Sequence, residues 1–336
     1  MKTKPASPLL RRTALLLCAA AALPWGALAQ ARSDSKGDWP TRPLRLIVGY
    51  ASGSSPDVQA RLLAEPLGKA LGQPVVVENK GGASGNIGAD AVAKATDGHT
   101  IGVIGNGPLT SSKYLYPKLP YDPIRDLAPL AMIGSAPLVL VAPHAAAADV
   151  PGYFKALKGG GGGGQGNYGS VGTGSGGHLG VELIKEAMGL DMLHVPYNGG
   201  PAVVNALLGG QVQMALLPAS TVMPLVQSGK LAALAVSSSK RSPLAPGVPA
   251  MPEVGAGQVD IEVWNAVMAP ASMPADHRAR LAQALEKILH SPEIRSKLLA
   301  QGWRIDDTSA ASLERRIRSD SKVYGDLIAQ KHIRIE

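Results

Sequence analysis

Three stretches of the chain gather glycine and hydroxyl residues where an apolar run gives way to a helix-patterned one. They are "GYASGSSPD" (49–57), "GGASGNIG" (81–88) and "GSVGTGSGGH" (169–178). Each leaves hydroxyls and backbone N–H groups free at a helix start, where the helix dipole is positive and an anion can sit. None contains arginine, and the one lysine nearby is Lys80, at an edge. Such a set would hold a carboxylate through neutral donors and water rather than through ion pairs. Tight turns alone explain one glycine loop; three of them in one chain favour a ligand site.

Other chemistries fit less well. Gly172, Gly174 and Gly177 satisfy G-x-G-x-x-G, but a dinucleotide site also needs an acidic residue at the end of the following strand. That strand ends in "HVPY" (194–197), without a carboxylate. No G-x-x-x-x-G-K-[ST] run exists, and Tyr168 and Thr173 stand where G-x-S-x-G would need glycine before Ser170 or Ser175. His178 follows Ser175 closely enough to suggest a nucleophile and its base. A small-molecule hydrolase built on that pair is the second hypothesis, weakened because no carboxylate near "GSGGH" would orient the histidine. The seven histidines are scattered and form no metal-ligand set, so neither metal nor cofactor is expected.

The chain's 336 residues suffice for two α/β domains. Residues 1–29 read as a secretory signal: Lys2, Lys4, Arg11 and Arg12 precede the apolar "TALLLCAAAALPWGALA", with cleavage before Gln30. Arg11-Arg12 lacks the rest of a twin-arginine motif, which favours Sec export. Cleavage leaves 29 basic against 25 acidic residues, a net charge of +4 in place of +8. It also removes Cys18, the only cysteine, so the mature chain has no disulfide. Few aromatics and no basic run in the mature chain argue against nucleic acid as a partner. No later segment is long and apolar enough to span a bilayer. The expectation is a soluble protein in the periplasm.

The loops need a scaffold. "LRLIVGY" (44–50), "PVVVEN" (74–79) and "HTIGVIGN" (99–106) read as strands. Between them, 57–72 places Val58, Leu62, Leu63, Leu67, Ala70 and Leu71 on one helical stripe, and 80–95 forms a second helix after its glycine loop. Pro66 predicts a kink or an early end to the first helix. This βαβαβ alternation calls for a parallel sheet with ligands at the carboxyl ends of its strands. Residues 116–130 read as a proline-rich connection, "PLVLVAP" (137–143) as a strand and "GGGGGG" (159–164) as a linker-like surface insertion. A second βα series follows from 167 to 238, then the strand "VWNAVMAP" (263–270) and helices over 274–290, 291–302 and 309–330. The predicted fold class is α/β, with two lobes. Lobe one comprises 30–137 plus 266–336, lobe two 138–265, with the strands 137–143 and 263–270 crossing between them and the ligand cleft between the lobes.

Several longer blocks are shared with a known family. These include "WPTRPLRLIV" (39–48), "LGQPVVVENKGGASGNIGADAVAKATDGHT" (71–100), "LYPKLPYDPIRDLAPL" (115–130), "YGSVGTGSGGHLGVELIKEAMGL" (168–190) and "HVPYNGGPAVVNALLGGQV" (194–212). With them the sequence resembles the Bug-type extracytoplasmic solute receptors, the substrate-binding proteins of tripartite tricarboxylate transporters. The resemblance implies a periplasmic binding protein of the Venus-flytrap kind, without catalytic activity, whose lobes close on a small carboxylate by hinge motion. It implies a monomer that serves a membrane permease of the tripartite tricarboxylate type or a sensor kinase. By position, lobe one would contribute Ser52, Gly53, Ser54, Ser55 and Asp57, then Gly82, Ala83, Ser84 and Gly85, and Asn106. Lobe two would contribute Ser170, Thr173, Ser175, His178 and Tyr197, with Ala219 and Ser220. The sequence departs from the family in its first loop, where "ASGSSPD" (51–57) lacks two usual prolines, has Ser54 for a glycine and puts Pro56 before Asp57.

Overall fold

In the computed structural model, residues 39–158, 166–257, 259–330 and 333 are described. The signal segment 1–29 with Cys18, and the hexaglycine 159–164, lie outside the described residues. The first elements are β1 (Leu44–Val48), α1 (Ser55–Leu71), β2 (Val75–Asn79), α2 (Asn86–Ala93) and β3 (Thr100–Gly105). β1 pairs in parallel with both β2 and β3, the arrangement that the alternation requires. Single helical turns at Asn106–Leu109 and Ser112–Leu115 lead to the long strand β4 (Leu127–Pro143). The second series runs α3 (Val150–Lys158), β5 (Gly166–Ser170), α4 (Gly176–Met188), β6 (Met192–Pro196), α5 (Gly200–Leu208), β7 (Met214–Pro218), α6 (Ala219–Gln227) and β8 (Leu231–Val236). It is followed by β9 (Glu262–Pro270), α7 (Ala275–His290), α8 (Pro292–Ala300) and α9 (Ala310–Gln330). Again the central strand, β5, is parallel to its neighbours β6 and β7.

β4 organises the whole. Residues Leu127–Pro137 pair antiparallel with β9 in the first sheet. Residues Leu138–Pro143 pair antiparallel with β7 and β8 in the second. The strand order is β2-β1-β3-β9-β4-β7-β5-β6, with β8 on the side of β4. The strand starts ten residues before the expected Pro137, inside what the sequence presents as connection. Pro129 and Gly134 give that stretch the look of a loop, and the ladder absorbs them as register shifts at Pro129/Ala131 and Met132/Gly134. Of the two expected crossing strands, β4 is shared by both sheets. β9 pairs only with β3 and β4, and Ile261 just before it still donates its N–H to Ser237 O of the second half.

Helix α1 buries Leu63, Leu67 and Leu71, whereas Val58 and Ala70 face solvent. It does not stop at Pro66: it continues to Leu71 and ends on Gly72, whose φ of 77° and N–H bond to Gly68 O close it. The apolar stripe on both sides of Pro66 outweighs the one missing backbone bond. Helices α3 and α6 were not evident from the sequence; α6 carries Pro224 in its interior. α9 joins two cores. Its Leu313 and Ile317 pack with Trp264 and Met268, and its Tyr324 and Ile328 pack with Leu138 and Leu216.

Backbones meet without side chains where α2 crosses the end of β1. A Cβ on Gly88 would stand 2.4 Å from the Cα of Gly49. Backbone cannot yield as a side chain can, so Gly88→Ala is expected to destabilise by about 1–3 kcal/mol, the usual cost of overpacking. A denaturant titration with no shift in midpoint would contradict this contact.

Candidate functional site

A small cavity lies at the carboxyl ends of the strands. It leaves about 70 Å³ for the centres of water-sized atoms, where one water needs roughly 10–15 Å³. Ser54, Ser55 and Pro56 reach it after β1, Asn106 at the end of β3, and Ser175, Gly176 and Gly177 after β5. Gly199 and Gly200 reach it after β6, and Pro218 and Thr221 at the end of β7. Leu138 of β4, and Val263 and Asn265 of β9, complete the wall with Trp303. The loop after α8 delivers Trp303: its N–H bonds to Leu298 O, and the next residue, Arg304, exchanges backbone bonds with Ser135 of β4.

No lining residue among those described carries a formal charge. The positive ends of α1, α4, α5 and α6 converge there instead, since Ser55, Gly176, Gly200 and Thr221 line the cavity from their first turns. Each end is equivalent to roughly half a positive charge, and its first N–H groups lack partners within the helix. Ser54 sits at the N-cap of α1 but makes no capping bond. It is only 4% exposed, and its Oγ finds no partner among the described residues. Leaving a buried hydroxyl unpaired costs about 1–3 kcal/mol, a cost relieved by an acceptor in the cavity. Ser175, in contrast, caps α4 by accepting the His178 N–H.

The structure brings four of the expected residues, Ser54, Ser55, Asn106 and Ser175, to this cavity. Gly53 and Ser220 line a shallower outer groove that shares Ser55, Thr221 and Trp303. Asp57 does not line either. Its carboxylate accepts from Gly53 N at 2.9 Å, Asn79 Nδ2 at 2.8 Å and Arg61. Burial works to raise its pKa, but these partners together hold it below the usual carboxylate range. Asp57 therefore braces the 51–57 loop, with the exposed Ser52 at its rim, 3.4 Å away.

The loop Gly82–Gly85 lies behind the wall, not in it. Tyr50, whose ring lines the cavity, donates its hydroxyl to Ser84 O at 2.9 Å. A Cβ on Gly85 would come within 2.9 Å of that ring. Ala83 and Ser84 hold φ of 46° and 59°, a left-handed conformation costly for non-glycine residues. Ser84 also packs so closely on Gly172 that a side chain there would collide with it. Ser111 Oγ makes a second bridge of this kind, donating to Gly174 O at 2.6 Å.

The remaining lobe-two candidates serve the loop 169–178 from inside. Ser170 is fully buried and bonds to Gly172 and to His194 Nε2 at 2.7 Å. His178 accepts the Gly174 N–H on Nδ1 and stacks on His194, with ring centres 4.0 Å apart, and on Tyr168. The Ser175 hydroxyl and the His178 ring thus face different partners, and the pair is not a nucleophile with its base. Thr173 is half-buried and outside the lining. Tyr197 packs with Val203 and Leu217, and Ala219 is buried in the same cluster, close to Gly302. Sequence reasoning missed Tyr50, Thr221, Asn265 and Trp303. Tyr50 and the glycine pair 199–200 lie at strand ends and share the signal of the predicted loops, whereas no spacing connects Trp303 to them.

An α/β body built around one strand common to two sheets, with a cavity at the strand ends, defines the periplasmic binding protein class. The family model for the tripartite tricarboxylate transporter family receptor matches residues 59–333. The chain is 38% identical over 275 residues to Protein BugT of Bordetella pertussis, covering 80% of this chain and 82% of that one. Among solved structures, an R. palustris protein with adipate aligns with a TM-score of 0.82 at 29% identity, covering 88% of this chain and 99% of that chain. MatC from Rhodopseudomonas palustris with bound malate aligns with a TM-score of 0.79 at 28% identity, over 86% of this chain and 100% of that chain. The chain belongs to the tripartite tricarboxylate transporter receptor family and is a Bug-type substrate-binding protein, not an enzyme. The family is periplasmic.

The stacked histidines make loop 169–178 sensitive to acid. Burial pushes His178 down to about 4, and burial together with the His178 neighbour pushes His194 down to about 3, from an ordinary 6.5. Below 6.5 the unfolded chain takes up protons that the native pair refuses, so the stability present above that pH is lost as pH falls toward 4. Thermal unfolding between pH 7 and pH 4 should show this fall, and His178→Gln should flatten it; an equal slope in the variant would contradict the assignment.

Proposed function

We propose that this chain captures a small carboxylated solute in the cavity at the strand ends and delivers it to a membrane permease of the tripartite tricarboxylate type or to a sensor kinase. The observation that carries the reading is a cavity whose lining carries no formal charge, onto which four helix N-termini converge and where Ser54 Oγ stands unpaired. The relatives solved with malate and with adipate support it. Neutral donors suit a receptor that must also release: a ligand held by dipoles departs when the lobes part, without an ion pair to break. The moving bodies in this reading are 30–137 with 266–336, and 138–265, joined through β4 and β9, with α9 packed against the cores of both. Export through the segment 1–29 would place the receptor where the family works.

A hydrogen bond to a charged group contributes about 1.5–3 kcal/mol. Ser54→Ala is therefore expected to weaken carboxylate binding by roughly 10–100-fold in calorimetry, with the bound acid recovered unchanged. Undiminished affinity in the variant, or conversion of the acid to a product, would refute the proposal.

A further inference from the structure

We propose that Trp303 sets how long an acid this receptor accepts; this rests on the carboxylate reading of the same cavity. Two spaces adjoin at this residue. The cavity leaves about 70 Å³ for the centres of water-sized atoms, and the groove outside it leaves about 360 Å³. Ser55, Thr221 and Trp303 line both, so these three form the partition between them. Ser55 and Thr221 are short side chains in the first turns of α1 and α6. Only the indole is bulky enough to shut one space from the other.

The partition is firmly mounted. After α8, Gly302 N–H bonds to Leu299 O and Trp303 N–H to Leu298 O. Arg304, next in the chain, exchanges backbone bonds with Ser135 of β4, and its guanidinium reaches Glu262 at 3.0 Å and Asp306 at 2.9 Å. A Cβ on Gly302 would lie 3.3 Å from that of Ala219, so the turn also rests on the start of α6. With its backbone held on both sides, Trp303 is only 2% exposed and is a standing part of the wall. Elsewhere the cavity cannot lengthen: behind Leu138, Leu216 and Val263 lies packed core. Behind the indole lies open space. Val58, Pro201, Val204 and Leu225 line that groove without any formal charge, and Asn205 and Gln301 are the amides within it for a polar chain end. An acid held at the helix starts therefore ends short of the indole, whether it carries one carboxylate or two. Removing the indole joins the two spaces, and each further methylene then gains up to about fourfold in affinity from burial.

The test is calorimetric titration with two straight-chain series, the monocarboxylates from butanoate to octanoate and the dicarboxylates from butanedioate to octanedioate. It compares the wild-type protein with Trp303→Ala and Trp303→Leu, each first checked for a cooperative melt. In the wild type, affinity within a series that binds is expected to fall sharply beyond a limiting length. Trp303→Ala is expected to move that limit outward, so that an acid two methylenes past it binds the variant roughly tenfold tighter than the wild type, while shorter acids change much less. Trp303→Leu keeps an apolar side chain in the wall and is expected to move the limit the same way, which gives the answer if the alanine variant does not fold. An unchanged limit in a folded variant, an equal loss of affinity at every length, or a wild type without a limit overturns this inference and leaves the carboxylate reading standing. Failure of every acid in both series to bind the wild type overturns both.

Discussion

A strand buried along its whole length must find hydrogen-bond partners on both edges, because an orphaned backbone group in the interior is costly. β4 meets that demand with β9 on one edge and Arg304 and Thr308 on the other up to Pro137, and with β7 and β8 from Leu138 onward. The change of partner is where two sheets diverge, and sheets that diverge leave a crevice at their strand ends. Leu138, the first residue on the far side of the change, lines the cavity, as does Val263 next to the matching end of β9. The position of the site is thus a consequence of hydrogen bonding in one strand, before any ligand is considered.

That topology also explains the cavity's electrostatics. In a parallel βαβ unit every helix starts where its preceding strand ends, so all N-termini point to the same rim. Two such units facing one another across β4 bring α1 from one side and α4, α5 and α6 from the other to a common space. Positive potential follows from chain direction alone, and the lining needs no lysine or arginine to attract an anion. The charged residues that do occur close by serve the loops, as Asp57 and Arg61 do through a 3.0 Å contact.

Much of this was legible in the sequence, for reasons tied to particular residues. The strands β1, β2, β3, β7 and β8 advertise themselves by apolar runs, and the loops after β1 and β5 by glycine and serine at helix starts. The first ten residues of β4 were not legible, because Pro129 and Gly134 mimic a loop and only the ladder with β9 tolerates them. Nor was the packing of the loop 81–88: its glycines and serine signal an anion site, and in the structure it packs closely on Tyr50. Local pattern reports that a loop is tight and polar; it does not report which of its faces meets the cavity. Trp303 lay beyond reach for a different reason, since it arrives by a pairing of Arg304 with Ser135 across some 170 residues of chain.

Several sites of unfavourable energy in this protein gather around the cavity. Ser54 leaves a hydroxyl unpaired, Ala83 and Ser84 hold left-handed backbone, and His178 and His194 are kept neutral in contact with one another. All stand in or directly behind the walls of the cavity. Strain persists only where surrounding packing over-determines it, and here the packing is that of Tyr50 against Gly85 and of Ser84 against Gly172. The second of these contacts joins the loop after β2 to the loop after β5, which belong to different sheets. In the proposed receptor, opening would break it and return Ser54 to water, and a guest that accepts from Ser54 would tip the balance toward the closed form.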